Sequence, residues 1–195
     1  MHWPITKPHA VQHDSNFRKC LLTGKTGRRS FDMARHLEIE RKFLVKQPPT
    51  GWKGRPSSRI VQGYLPITSK LLEIRLRRKG LKRFITVKCG HGRRRLEEEI
   101  DIPESKFCSL WPLTRQARVV KRRYKIPSDR NTIEMDVYEG AHRGLITADI
   151  EFDSVGASRA FEPPDWLGRE ITGNRQYANE ALARCHKLPR ELIKG

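Results

Sequence analysis

Seven segments of this chain place charged or polar residues two positions apart, within stretches whose remaining residues favour a β-strand. They are residues 38–42, 75–77, 86–88, 95–99, 121–123, 134–136 and 149–151. Alternate residues of a strand point to the same face of a sheet, so each segment carries its charges on one face. Acids and bases are mixed in this set, which indicates a site for a polyanion together with a metal cation.

The basic members of the set provide the groups that bind phosphate. They are Lys42, Arg75, Arg77, Lys88, Arg95, Lys121 and Arg123. A guanidinium offers a rigid, bidentate fork to a phosphate, whereas an ammonium acts as a point charge. If these seven bases converge on one cavity, they suit a ligand that carries about four or five negative charges.

The acidic members provide carboxylate oxygens, which Mg²⁺ and Mn²⁺ prefer as ligands. They are Glu38, Glu40, Asp136, Asp149 and Glu151, and the pattern extends more weakly to Glu97, Glu99 and Glu134. Two pairs of carboxylates, each projecting from one strand, would form one or two metal sites if the strands face each other.

The recurrence of these charges predicts which face of each strand points to the interior of the sheet. A single charged pair is typical of a solvated strand face or of a surface ion pair. Charges on nearly every strand instead predict a sheet closed around a charged interior, with the apolar residues packed outward against helices. Burying an unpaired charge costs several kcal/mol, so the interior charges must pair or hold ligands. A barrel of about eight strands can hold one small ligand.

Composition narrows the class of partner. The 195 residues suit one domain or a domain with a tail, with 36% hydrophobic and 32% charged residues and a net charge of +18. This charge indicates an acidic partner. Nucleic acid is disfavoured because the bases lie among acids and lack interleaved aromatic residues. No apolar run is long enough to span a membrane, and four cysteines without a CxxC pair favour a cytoplasmic location.

The remaining pattern predicts a mainly β, antiparallel fold with a few short helices. The strands are expected at residues 37–45, 59–65, 71–78, 84–88, 94–102, 117–126, 131–138 and 146–152. Helices are expected near 103–111 and 154–161, with a C-terminal helix at 177–187. Residues 1–35 are expected to be a disordered basic extension or a misassigned start before Met33, with a targeting arm as the alternative. Residues 36–190 form the single domain.

The sequence resembles the CYTH superfamily, also called triphosphate tunnel metalloenzymes, and its small bacterial branch in particular. Residues 38–42 match the ExExK motif of that superfamily. Further matches follow in order at 62–65, 75–77, 86–88, 95–99, 121–124, 134–138, 149–152 and 166–172, with Tyr177 and Asn179. The resemblance implies an eight-stranded antiparallel β-barrel that forms a tunnel, and an enzyme that acts on triphosphates with Mg²⁺ or Mn²⁺.

The resemblance also assigns roles to individual residues. It implies metal ligands at Glu38, Glu40, Asp149 and Glu151, with Asp136 as a further ligand. It implies a triphosphate cradle at Lys42, Arg75, Arg77, Lys88, Arg95 and Arg123. Lys121 matches a lysine near the attacking water, and neighbouring cations should lower its pKa toward that of a base. The chain departs from the family at Asp149, usually Glu, and at Asn174 and Gln176, where close relatives often carry Asp and Arg.

We therefore expect metal-dependent cleavage of inorganic tripolyphosphate to pyrophosphate and phosphate. Adenylate cyclase, nucleotide triphosphatase or thiamine triphosphatase activity on the same fold is one alternative, although no pocket for a base and ribose is evident in the sequence. A non-enzymatic module that binds polyphosphate or RNA is the other. Loss of the carboxylates would favour that module, and the four primary positions are all acidic.

Overall fold

The computed structural model of the protein describes residues 39–67, 72–91, 94–129, 131–185, 187 and 189, with 90, 91 and 94–96 described by their backbone alone. The predictions for residues 1–35, for Glu38 and for the side chain of Arg95 lie outside this part of the chain. None of the helices that the structure describes is long and apolar enough to cross a membrane.

Among the residues described, nine strands form one sheet in which every pair of neighbours is antiparallel. They are β1 (Ile39–Val45), β2 (Ser57–Tyr64), β3 (Leu72–Lys79), β4 (Lys82–His91), β5 (Arg94–Asp101), β6 (Arg118–Ser128), β7 (Asn131–Tyr138), β8 (Ile146–Phe152) and β9 (Leu167–Glu170). Their spatial order is β5-β4-β3-β2-β6-β7-β8-β1-β9. The predicted class, mainly antiparallel β with a few short helices, is confirmed.

The predicted closure of eight strands into a barrel is not found in the described part of the chain. The sheet has nine strands, and no ladder of hydrogen bonds joins its outer strands β5 and β9 among the residues described. The additional strand, β9, occupies the free edge of β1, where Ile171 N donates to Lys42 O at 2.8 Å. With only four residues, β9 is too short to show the alternation from which the other strands were predicted.

In the described part of the chain, three short α-helices lie outside the sheet: α1 (Glu104–Leu110), α2 (Val155–Ala160) and α3 (Asn179–Arg184). Helix α1 continues as a 3₁₀ turn at Trp111–Thr114, beyond its predicted end. Helix α3 begins later than predicted because a separate 3₁₀ turn occupies Arg175–Tyr177, and it ends earlier than predicted, at Arg184. Asn174, which departs from the family pattern, caps this turn: its side-chain oxygen accepts from Gln176 N at 3.1 Å.

Among the described residues, two clusters of buried apolar side chains stabilise the sheet. One lies on the face opposite to the charges and is formed by Phe43, Ile126, Ile133, Met135, Ala148, Ile150, Phe152 and Leu167. The other, here called the apolar plug, is formed by Tyr64, Ala117, Val119, Tyr138, Leu145, Ile171, Tyr177, Leu182 and Ala183. The plug contains residues of α3, so the C-terminal helix packs against one end of the charged face.

Gly63 marks the closest approach between the sheet and the turn that follows α1. A Cβ atom at this position would lie 2.4 Å from Thr114 Oγ1 and 2.6 Å from Thr114 Cβ. Thr114 is fully buried and accepts a hydrogen bond from Arg118 Nε at 3.0 Å, so it cannot move aside easily. The absence of a side chain at Gly63 therefore allows this turn to pack on β2.

We expect Gly63→Ala to lower the free energy of unfolding by about 1–3 kcal/mol, because the added methyl group overpacks the contact with Thr114. Urea denaturation at equilibrium measures the change. Gly54→Ala is the matched control, since a Cβ at Gly54 meets nothing within 4 Å. Equal stability of the two variants would contradict the role given to Gly63.

Candidate active site

The pairing register of the sheet gathers the charged residues on one face. Directly opposite residues of neighbouring antiparallel strands point to the same side. Arg123 lies opposite Asp136, and Lys42 lies opposite Asp149. On the other half of the sheet, Lys88 lies opposite Glu97. Period-two charges on separate strands thus share one surface, here called the charged face.

The structure places ten of the twelve predicted site residues on the charged face. They are Glu40, Lys42, Arg75, Arg77, Lys88, Lys121, Arg123, Asp136, Asp149 and Glu151. Arg95 pairs with Gly90 through its backbone, and Glu38 lies outside the described residues.

Asp136 is the centre of the buried part of this face. Its side chain is fully buried, and both of its oxygens accept hydrogen bonds from cations. Arg123 donates from Nε to Oδ1 at 2.8 Å and from Nη2 to Oδ2 at 2.7 Å, while Lys121 Nζ lies 2.5 Å from Oδ2. Arg123 Nη1 also donates to Glu134. One carboxylate therefore fixes the positions of two predicted functional cations.

Asp149 extends this network toward β1. Lys42 Nζ lies 2.6 Å from Asp149 Oδ1, and Arg123 Nη2 lies 3.2 Å from Asp149 Oδ2. Burial acts to lower the pKa of Lys42, but the charge and hydrogen bond of Asp149, together with Tyr138 and Glu40, outweigh burial and raise this pKa above its usual range. Lys42 therefore stays protonated and suits the binding of an anion.

Lys121 differs from Lys42 although both are buried lysines beside a carboxylate. Burial lowers the pKa of Lys121 to about 8; the Asp136 charge opposes this shift and the Arg123 charge adds to it. For Asp136, burial acts to raise the pKa, but Lys121 and Arg123 hold it below its usual range. Lys121 can therefore lose its proton at mildly alkaline pH, while Asp136 stays charged.

A second cluster on β3, β4 and β5 is less completely satisfied. Arg75 Nη2 lies 3.4 Å from Glu99 Oε2 and 3.2 Å from Thr86 Oγ1, and Arg77 Nη1 lies 3.4 Å from Glu99 Oε2. Lys88 Nζ lies 2.5 Å from Glu97. The Nε atoms of Arg75 and Arg77 are buried and have no hydrogen-bond acceptor in the described part of the chain. Phosphate oxygens would satisfy these donors.

The pKa of Arg77 is affected by charges from both clusters. Burial and the charges of Arg75 and Arg123 lower the pKa of Arg77, while Glu99 opposes the shift. Arg77 is thus surrounded by cations from both sides of β2. An anion placed among the three guanidinium groups would relieve their mutual repulsion.

The carboxylates on β1 and β8 fit a hard divalent cation. Part of Glu40 is exposed, but neighbouring protein atoms desolvate its carboxylate, which raises its pKa. The negative charge of Asp149 acts in the same direction. Together they raise the pKa of Glu40 to about 7, with a smaller contribution from Glu151. A divalent cation would reverse this repulsion between like charges. No group of three His, Cys, Asp or Glu residues converges among the described residues, a set that lacks Glu38.

Neutral residues complete the site, and charge patterning did not identify them. Asn179 Oδ1 accepts from Lys121 Nζ at 3.1 Å and from Tyr138 OH at 3.0 Å. Asn179 is the first residue of α3, so the C-terminal helix touches the predicted catalytic lysine. The only sequence signal was the position of Asn179 in the last matched motif, which gave no role.

Comparison with known proteins places the chain in a family. No protein-family model matches the chain. The inorganic triphosphatase of Nitrosomonas europaea is 43% identical over 148 residues, which cover 75% of this chain and 96% of that protein. The chain belongs to the inorganic triphosphatase family. A second inorganic triphosphatase, from Acetivibrio thermocellus, is 33% identical over 150 residues, with 75% of this chain and 93% of that protein covered.

A solved structure from the inorganic triphosphatase family agrees in fold. The crystal structure of the inorganic triphosphatase NE1496 matches with a TM-score of 0.61 and 39% identity, and the match covers 76% of this chain and 95% of that one. The resemblance inferred from the sequence motifs is thereby confirmed.

We expect Asp136→Asn to lower the free energy of unfolding at pH 7 by about 3 kcal/mol, because it leaves Lys121 and Arg123 without their buried counter-charge. The folded-state pKa of Asp136 is depressed, so its contribution is present above pH 4 and is lost as the pH falls further. The gap between wild type and variant should therefore narrow below about pH 4. Chemical denaturation across pH measures it, with the exposed Asp165→Asn as control. A gap that does not change with pH would contradict this interpretation.

Proposed function

We propose that this protein hydrolyses inorganic tripolyphosphate to pyrophosphate and phosphate in a metal-dependent reaction. The observation that carries the proposal is the pairing register, which brings the bases and carboxylates of the predicted site onto one face of one sheet. Two relatives named inorganic triphosphatase support the choice of substrate. The free thiols of Cys89, Cys108 and Cys185 suit a reducing compartment, so we place the enzyme in the cytoplasm.

The cations of the charged face would bind the substrate. Arg75 and Arg77 have Nε donors without acceptors among the described residues, and their Nη atoms contact carboxylates only at 3.4–3.7 Å. Phosphate oxygens would take the place of these long contacts and accept shorter, charge-assisted hydrogen bonds. Lys42, Lys88, Arg123 and the predicted Arg95 would complete the cradle around the triphosphate.

Glu40, Asp149 and Glu151, together with the predicted Glu38, would hold Mg²⁺ or Mn²⁺. When bound, such an ion neutralises charge on the substrate oxygens and stabilises the charge that develops at the bond being broken. Asp136 was predicted as a further ligand. Since Lys121 and Arg123 already engage both of its oxygens, it would have to give up one of these contacts to bind a metal.

Lys121 would act as the general base. Asp136 and Asn179 hold its ammonium group in place, and its pKa of about 8 allows a substantial neutral fraction at mildly alkaline pH. The neutral amine would take a proton from a water molecule as the water oxygen attacks the terminal phosphorus atom. The bond from phosphorus to the bridging oxygen breaks, pyrophosphate leaves, and no covalent enzyme intermediate is formed.

We expect phosphate release from tripolyphosphate with Mg²⁺ or Mn²⁺, and none after EDTA treatment. ATP and thiamine triphosphate serve as comparators in the same assay. Arg77→Gln should lower kcat/KM by about 10- to 100-fold because it removes one charge-assisted contact to phosphate. Arg78→Gln is the matched control: it is the next residue, has the same charge, and points to the opposite face of β3.

Three results would exclude this proposal. The first is efficient release that persists in EDTA. The second is a preference for ATP or thiamine triphosphate over tripolyphosphate. The third is an equal loss of activity in the Arg77 and Arg78 variants, which would show that net charge rather than the charged face matters.

A second prediction concerns the base. The kcat of the wild type should rise with pH through about 8, as Lys121 loses its proton. Lys121→Arg keeps the positive charge but cannot lose it at these pH values, so kcat should fall about a hundredfold. Arg77→Gln should retain the midpoint of the wild-type profile. Wild-type turnover in Lys121→Arg would exclude the base role.

A further inference from the structure

A cavity of about 240 Å³ lies on the face of the sheet opposite to the charged face. One wall is the outer surface of β2 and β3, where Val61 lies opposite Arg78. The other wall is formed by α1 and the 3₁₀ turn that follows it, which contribute Phe107, Cys108 and Trp111. None of the ten predicted site residues on the charged face lines this cavity, so the proposed triphosphatase function gives it no role.

The aromatic wall of the cavity is fixed by its own contacts. The rings of Phe107 and Trp111 stack with their centroids 5.0 Å apart and an angle of 20° between their planes. The guanidinium of Arg118 lies 4.3 Å from the centroid of the Trp111 ring, and Arg118 Nη2 donates to Trp111 O at 2.8 Å. Phe107 is buried. Since these contacts exist without a ligand, a further ring would meet a preformed apolar surface.

The wall formed by the sheet carries an excess of positive charge. Arg78 lies directly opposite Arg83 across β3 and β4, and like charges at such a pair repel each other. Arg83 is compensated, because its Nη2 lies 2.7 Å from the carboxylate of Glu104, which also lines the cavity. Arg78 is exposed and forms no ion pair with a carboxylate in the part of the chain that the structure describes. A negative charge on a ligand would therefore complement Arg78.

We propose that this cavity binds a small aromatic carboxylate, that is, a single aromatic ring that carries an acidic group. The ring would lie against Phe107 and Trp111, and the carboxylate would accept bidentate hydrogen bonds from Arg78. A cavity of about 150 Å³ is enough to hold benzene, so the volume of about 240 Å³ leaves room beside the ring for the acid. The proposal goes beyond triphosphate hydrolysis and does not depend on it.

Calorimetric titration of the full-length protein with phenylacetate, with its neutral amide phenylacetamide and with acetate tests the proposal. Wild type should bind phenylacetate about tenfold more tightly than either of the others, because phenylacetate alone has both the ring and the charge. Arg78→Gln should reduce the affinity for phenylacetate to that for phenylacetamide. Arg77→Gln removes the same charge from the opposite face of β3 and should leave the binding of phenylacetate unchanged.

A second pair of variants tests the location of the site without removing a charge. Cys108 lines the cavity and is exposed, so the larger side chain of Cys108→Leu should obstruct the cavity without disturbing the core. It should lower the affinity for phenylacetate about tenfold. Ser109→Leu places the same side chain at the next exposed position, which does not line the cavity, and should bind phenylacetate as the wild type does.

Three outcomes would overturn the proposed aromatic site. The first is equal affinity of the wild type for phenylacetate, phenylacetamide and acetate. The second is a loss of binding in Arg77→Gln instead of Arg78→Gln, which would place the carboxylate in the triphosphate cradle. The third is equal affinity of Cys108→Leu and Ser109→Leu for phenylacetate. No contact with triphosphate is assigned to Arg78, so binding to this cavity and hydrolysis on the charged face are tested by separate assays.

Discussion

The buried carboxylate of Asp136 makes the rest of the charged face possible. Desolvating Lys121 and Arg123 would cost several kcal/mol for each ion if they had no partner. Asp136 compensates both, since each of its oxygens accepts a hydrogen bond from a cation. The sheet can therefore point ionised side chains toward its own interior, and the functional cations are fixed before any ligand arrives.

This compensation is uneven, in a way that fits the proposed function. On β6, β7, β8 and β1, acids and bases alternate and contact one another at 2.5–3.2 Å. On β3, β4 and β5, Arg75 and Arg77 retain buried donors without acceptors among the described residues. One half of the face is thus ordered by internal ion pairs, while the other half keeps binding capacity for an external anion. Arg123 belongs to the first half and lies close enough to Arg77 to affect its pKa.

The sequence allowed prediction of the features that depend on period-two alternation. Residues such as Lys42 and Asp149 could be assigned to one face because alternate residues must share a side, and the class of fold followed from many short antiparallel strands. Closure of the sheet into a barrel could not be predicted in the same way, since it depends on which strand occupies the free edge of β1. The four residues of β9 are too few to show the alternation that would predict a strand at that edge.

Contacts made by neutral side chains could not be predicted from the pattern of charges either. Asn179 joins Lys121 only because the chain returns 58 residues later to pack α3 on the plug, and an amide gives no charge signal. The start of α3 was predicted too early because Asn174 caps a separate 3₁₀ turn that ends at Tyr177. The pKa of Lys121 was expected to fall because of neighbouring cations, whereas burial is the larger cause.

The apolar plug covers one end of the charged face, and this limits the directions from which a polar ligand can reach the site. Tyr138 lies opposite Lys121, and Val119 lies two residues further along β6, so apolar side chains would meet a polyanion bound beside Lys121 at this end. A substrate bound on the charged face would therefore extend away from the plug. A product that remained in the proposed cradle would delay the binding of the next substrate molecule.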